Sequence, residues 1–180
     1  MTRYVALLRG VNVGGKPVRM ELLRASFEAL GCKGVRTYIQ SGNVVFDAGA
    51  KNAATLVRKI EAKLREDFNF AVATVLLSAE ELRALSERNP FASDKTVDQG
   101  RLHVTFLPAG APAAAAQILE SLAGKAERYH IGAREIFLYC PNGYGTSKLA
   151  NPFIEKKLGV TATTRNWKTV QTLVTMASAD

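Results

Sequence analysis

The chain has 180 residues, 47% hydrophobic and 22% charged, with a formal net charge of +8. That length holds one large or two small cores, and the balance is that of a globular chain rather than a disordered one. Two cysteines and two histidines assemble no zinc-type spacing, so neither a metal nor a cofactor is expected; no apolar run nears the roughly 20 residues of a membrane span, and Met1 to Val5 leads into a strand pattern without a signal core, so the expectation is a cytoplasmic protein with no membrane partner.

Tyr4 to Leu8 reads as a short buried strand. After a glycine-rich loop, Met20, Leu22, Leu23, Phe27 and Leu30 recur at helical spacing, and Gly31 closes the helix. Val35 to Gln40 is β-branched and aromatic, Ser41-Gly42 is a turn signal, and Val44-Val45-Phe46 resumes the extended pattern, which makes a hairpin. Leu56, Ile60 and Leu64 mark a second helix ending near Asp67, and Val72 to Leu77 supplies a further strand. The order strand, helix, strand, strand, helix, strand is ferredoxin-like.

Ser78 with Glu81 three residues on is a capping-box signature for a helix through about Arg88, ended by Asn89-Pro90. Residues 92–100 read as a polar linker. The pattern then partly repeats, with strand Leu102–Leu107, a helix near 112–122, strand Glu127–Ile131, a turn at Gly132 and strand Glu135–Cys140. The segments 38–46 and 129–137 are both aromatic-led hairpins around a glycine. Asn151 is expected to cap a helix carrying Pro152 at its first position and ending at Gly159. Val160–Thr163 reads as extended, and a last helix carries Trp167, Val170, Leu173, Val174 and Ala177 on one stripe. The expected fold is α+β, two ferredoxin-like (βαββαβ-type) subdomains with an additional C-terminal helix. The expected divisions are 1–78, a helix and linker over 79–100, and 101–180.

Four segments place glycine or asparagine beside a base or hydroxyl: Arg9–Lys16, Gln40–Asn43, Asn142–Lys148 and Thr164–Lys168. Such segments suit an anion, because glycine lets backbone N–H groups turn toward a ligand. Gly10 to Lys16 also matches GxxxxGK, yet Pro17 stands where a Ser or Thr would hold magnesium, and the ferredoxin-like order is not the parallel sheet that motif requires. The candidate ligand residues are Arg9, Asn12, Gly14, Gly15, Lys16, Ser41, Asn43, Ser147, Lys148 and Arg165. These loops contain no carboxylate and no histidine to act as a general base. Asp47, Asp94 and Asp98 are the nearest acids by sequence but read as turn or surface residues, His103 and His130 have no evident partner, and no catalytic residue is assigned.

RNA-recognition domains share the ferredoxin-like order but stack bases on aromatic residues of an open sheet face. Here Val5-Ala6-Leu7-Leu8 and Val44-Val45-Phe46 are apolar on both faces, which suggests covered strands. Residues 1–78 hold 12 Lys and Arg against 6 Asp and Glu, and residues 79–180 hold 12 against 10, so the basic excess lies mainly in the first part. A positive field of that kind favours polyanions.

Taken together, Leu7–Lys16, Thr37–Phe46, Asn142–Leu149 and Thr164–Val170 resemble the bacterial family called domain of unknown function 1697. The resemblance runs over nearly the whole chain and implies a two-subdomain α+β fold, without an activity or a catalytic residue. The leading expectation is a protein that binds an anionic, phosphate-containing ligand, with nucleic acid or a nucleotide favoured. The alternatives are an enzyme acting on a phosphorylated or nucleotide-like small molecule, and a protein-interaction module marked by an exposed apolar patch.

Overall fold

In a computed structural model, residues 1–50 and 52–179 are described. They divide into two compact units, Met1–Ala84 with Leu173–Asp180, and Leu85–Thr172. In the first, β1 (Thr2–Leu8), α1 (Met20–Ala29), β2 (Lys33–Tyr38), β3 (Asn43–Ala48), α2 (Ala53–Phe68) and β4 (Thr74–Ser78) follow in order. The second contains β5 (Leu102–Phe106), α4 (Ala115–Leu122), β6 (Arg128–Ile131), β7 (Glu135–Tyr139), α5 (Asn151–Leu158) and β8 (Thr163–Asn166). The strand orders are β2-β3-β1-β4 and β6-β7-β5-β8, so each unit is one antiparallel ferredoxin-like sheet. The two glycine hairpins of the sequence, β2–β3 and β6–β7, occupy the same place in their sheets.

In the first unit the alternation of β1 sends Tyr4, Ala6 and Leu8 to the helix side, where they meet Leu23 and Phe27 of α1 and Leu56, Ile60 and Leu64 of α2. Phe46 anchors this core, with its ring 5.0 Å edge-on from Phe27 and 5.9 Å from Tyr4. Val5, Leu7, Val45, Val75 and Leu77 point to the opposite face and are buried as well. In the second unit Ile136, Leu138 and Cys140 pack with Leu119, Ile154 and Leu158, and on the other face Leu102, Val104, Phe106 and Phe137 are buried. Among the described residues, the central strands of both sheets are thus buried on both faces and form no open aromatic platform.

The capping box forms as its residues dictate. Ser78 N–H donates to Glu81 Oε2 at 2.7 Å and Glu81 N–H to Ser78 Oγ at 3.1 Å, opening α3 (Ala79–Glu87). Asn69 and Gly159 end α2 and α5 in the left-handed region. Two expectations differ. Ala150, not Asn151, is the N-cap of α5, because the Asn151 amide is drawn to the Ala162 carbonyl at 2.9 Å. Residues 164–166 lie in strand β8 rather than a loop, since β5 pairs with them from His103↔Asn166 to Phe106↔Thr163. Asn166 caps the last helix, α6 (Trp167–Ser178), accepting from Thr169 N–H at 2.8 Å.

The last turns of α6 belong to the first unit, where Arg36 Nη2 donates to the Met176 carbonyl at 2.6 Å. Arg3 reaches the Ala177 and Ala179 carbonyls and pairs with Asp47 at 2.9 Å. That guanidinium, by hydrogen bond and by charge, holds the Asp47 carboxyl below its ordinary value. Among the described residues no helix is long and apolar enough to cross a membrane.

Candidate functional site

The four polar segments fall two to a unit: Arg9–Lys16 and Gln40–Asn43 in the first, Asn142–Lys148 and Thr164–Lys168 in the second.

In the first unit the β1–α1 loop and the β2–β3 turn are stitched together. Asn12, at φ +57°, donates through Nδ2 to the Gln40 carbonyl at 2.7 Å and the Val18 carbonyl at 3.1 Å, while its Oδ1 accepts from Val18 N–H at 2.8 Å. Leu8 N–H donates to the Gly42 carbonyl at 2.8 Å. Gly42 sits at φ +79°, and a Cβ there would lie 2.8 Å from Leu8 Cβ, so the turn tolerates only glycine at this approach. Asn43 is 0% exposed and donates to the Tyr38 carbonyl at 3.0 Å and Ser41 Oγ at 2.9 Å. Asn12, Ser41 and Asn43 thus use their side chains to hold two loops in shape.

The outer part of the loop differs. Gly14 and Gly15 have φ of +60° and +78°, with open space where a side chain would be. Among the described residues their N–H groups donate to no protein acceptor. Lys16 is exposed and has no carboxylate partner there; its ammonium lies 5.8 Å from the centre of the Phe70 ring. Arg9 is half-buried at the base of the loop, where its N–H donates to the Ala73 carbonyl at 2.9 Å. The loop therefore presents a cation and two backbone donors to water.

In the second unit the polar side chains turn inward. The Ser147 hydroxyl is buried and accepts from Leu149 N–H at 2.9 Å, whereas Lys148 is exposed. Arg165 is only 7% exposed on β8, its Nη1 donating to Thr163 Oγ1 at 2.6 Å and to the Thr164 carbonyl at 3.0 Å. Burial pulls this guanidinium down to about 10, opposed by the nearby Tyr144 oxygen.

Around it lies a network absent from the expected set. The Tyr144 hydroxyl accepts from Asn151 N–H at 2.7 Å. Thr164 Oγ1 is 2.8 Å from Thr105 Oγ1 and donates to Asn151 Oδ1 at 3.2 Å. The His103 ring stacks on Tyr144 with centroids 4.5 Å apart, and His103 Nδ1 is buried and meets no hydrogen-bond partner among the described residues. Burial raises the Tyr144 hydroxyl above its ordinary value, against the hydrogen bond from Asn151 N–H and the neighbouring Thr164 hydroxyl, and burial lowers the His103 imidazole. The period-two spacing of His103 and Thr105 places both on one face of β5 and was the available signal; their partners Tyr144 and Thr164 lie some 40 to 60 residues downstream.

The acids considered from the sequence are engaged elsewhere. Asp94 accepts from Thr96 and Arg128, which draw it down to about 2, and Asp98 caps Gly100 N–H at 2.9 Å. Among the described residues no group of three or more His, Cys, Asp or Glu could hold a metal ion. Among the described residues, clefts of about 420 Å³ near Cys32 and Thr55, about 400 Å³ near Arg58 and Val72, and about 670 Å³ near Phe91 and Tyr129 are lined by none of the ten candidate ligand residues.

The family model described as "Protein of unknown function (DUF1697)" matches residues 1–137. The solved structure titled "The structure of conserved bacterial protein SP0830 from Streptococcus pneumoniae" is 30% identical, with 99% of each chain covered and a TM-score of 0.81. No curated protein matches. On this footing the chain belongs to the DUF1697 family of proteins of unknown function.

Proposed function

We propose that this protein binds a phosphate-containing polyanion, a nucleic acid or nucleotide, through the β1–α1 loop of its first unit. The observation that carries this reading is the pairing of Lys16, exposed and without a carboxylate partner among the described residues, with the unengaged N–H groups of Gly14 and Gly15. A phosphate oxygen accepts from such donors without displacing any internal hydrogen bond. The basic excess of residues 1–78 adds a long-range attraction. The loop is open, so it suits a phosphodiester chain running across it better than an enclosed metabolite.

Filter binding against RNA, DNA and nucleotides over a salt series tests the proposal. Affinity should fall linearly on a log–log plot as salt rises, and Lys16→Glu should weaken it about tenfold while reducing the salt slope by about one. Failure to bind any of these ligands at low salt rejects the reading.

A further inference from the structure

The same two loops expose two branched aliphatic side chains. Val13 is 66% exposed and Ile39 is 49% exposed. They stand on adjoining segments, because the Asn12 amide, next to Val13, donates to the carbonyl of Gln40, next to Ile39. Ile39 also adopts φ +47°. That region is disfavoured for any L residue and most of all for a β-branched one, and a side chain left 49% exposed gains only part of the burial that would offset the strain. The backbone is held there from both sides: Asn43 Nδ2 grips the Tyr38 carbonyl and Asn12 Nδ2 grips the Gln40 carbonyl. Asparagine or glycine would suit this backbone better. Ile39 is therefore presented rather than packed.

Resting on the phosphate-binding reading above, we infer that Val13 and Ile39 form an apolar wedge against the base faces of a nucleic acid whose phosphates lie on Gly14, Gly15 and Lys16. Apolar side chains, isoleucine among them, that enter between base steps and partly unstack them recur in minor-groove and architectural nucleic-acid-binding proteins. Such a wedge needs bases free to unstack, so the partner is a nucleic acid rather than a free phosphate. Two side chains are too little apolar surface for a membrane anchor. Residues 9–16 and 39–42 contain no aromatic residue, the usual anchor of a protein interface.

The experiment compares wild type, Ile39→Asn, the double variant Val13→Ser with Ile39→Asn, and Lys16→Glu. The probes are a single-stranded oligonucleotide carrying 2-aminopurine, a polyphosphate of matched charge, and phosphatidylserine vesicles. Wild type should bind the oligonucleotide about tenfold more tightly than polyphosphate and change the 2-aminopurine fluorescence. The double variant should lose that margin and the fluorescence change while keeping its polyphosphate affinity. Ile39→Asn should fold with an unchanged or higher Tm, which separates lost contact from lost structure. If wild type binds both polyanions equally, or the double variant behaves as wild type, the wedge is overturned and the phosphate loop stands. If Lys16→Glu binds as well as wild type, the phosphate loop itself is overturned and the wedge with it. Binding to vesicles in preference to the oligonucleotide overturns both.

Discussion

The two units share a chain order and a strand order but dispose of their polar groups in opposite ways. In the first, residues 9–19 between β1 and α1 carry three positive-φ glycines and an exposed lysine, and two backbone donors face water. The corresponding β5–α4 connection, residues 107–114, holds two prolines, a glycine and no cation. What the second unit has instead is interior: Tyr144, Thr105, Thr164, Asn151 and His103 bond or stack against one another. A single topology thus supports an outward-facing loop in one unit and an inward-facing network in the other. Placing polar groups on a common scaffold is the variable that decides whether they serve a ligand or the fold.

The contrast is most sharply broken at the hairpin that shapes the first loop. Gly42→Ala forces a Cβ to 2.8 Å from Leu8 Cβ at φ +79°, and should cost about 2–4 kcal/mol, read as a fall in the urea midpoint. Loss of less than about 1 kcal/mol would mean the turn is not braced as described. In the second unit, Tyr144→Phe leaves Asn151 N–H without its acceptor. It should cost about 1–2 kcal/mol by the same measurement and leave oligonucleotide affinity within about twofold. An effect on affinity without one on stability would reverse the roles assigned to the units.

The charge reversals compare the units directly. Lys16→Glu should weaken oligonucleotide binding about tenfold, and Lys148→Glu, on the second unit's exposed loop, less than about threefold. Equal effects would show that both units contribute phosphate contacts. The smallest expected effect is one of pH. Burial lowers the folded-state pKa of His103 from 6.5, so the unfolded chain binds its proton first, and stability should decline as pH falls below about 6.5. Both histidines lie in the second unit. Amide exchange should therefore show that unit loosening first between pH 7 and 5, and His103→Phe should flatten the trend.

Much of the architecture was legible in the residues. Leu56, Ile60 and Leu64 at four-residue spacing, the Ser78–Glu81 box and the two glycine hairpins all follow local rules of periodicity, capping and turn chemistry. Thr164-Arg165-Asn166 reads as loop because it looks polar, and only pairing with His103–Thr105 extends the strand through it. The four polar segments are legible in the sequence; which of their atoms are already hydrogen-bonded is not. Asn12 has the same donors and acceptors as a ligand residue does, and its amide meets a carbonyl because the β2–β3 turn arrives beside it; Asn43 and Ser147 are engaged within their own hairpin and loop, by contacts that residue type alone does not reveal.

The sequence by itself determined the two repeated βαββαβ units, their core stripes, the glycine positions and the basic bias, because each arises from backbone preference, side-chain period or simple charge. Tertiary structure alone decided which polar groups are already matched. Each hydrogen bond made within the chain uses a donor or lone pair that a ligand would otherwise take, so an internally bonded side chain has less to offer; the first unit's loop still presents Lys16 and the Gly14 and Gly15 N–H groups to water.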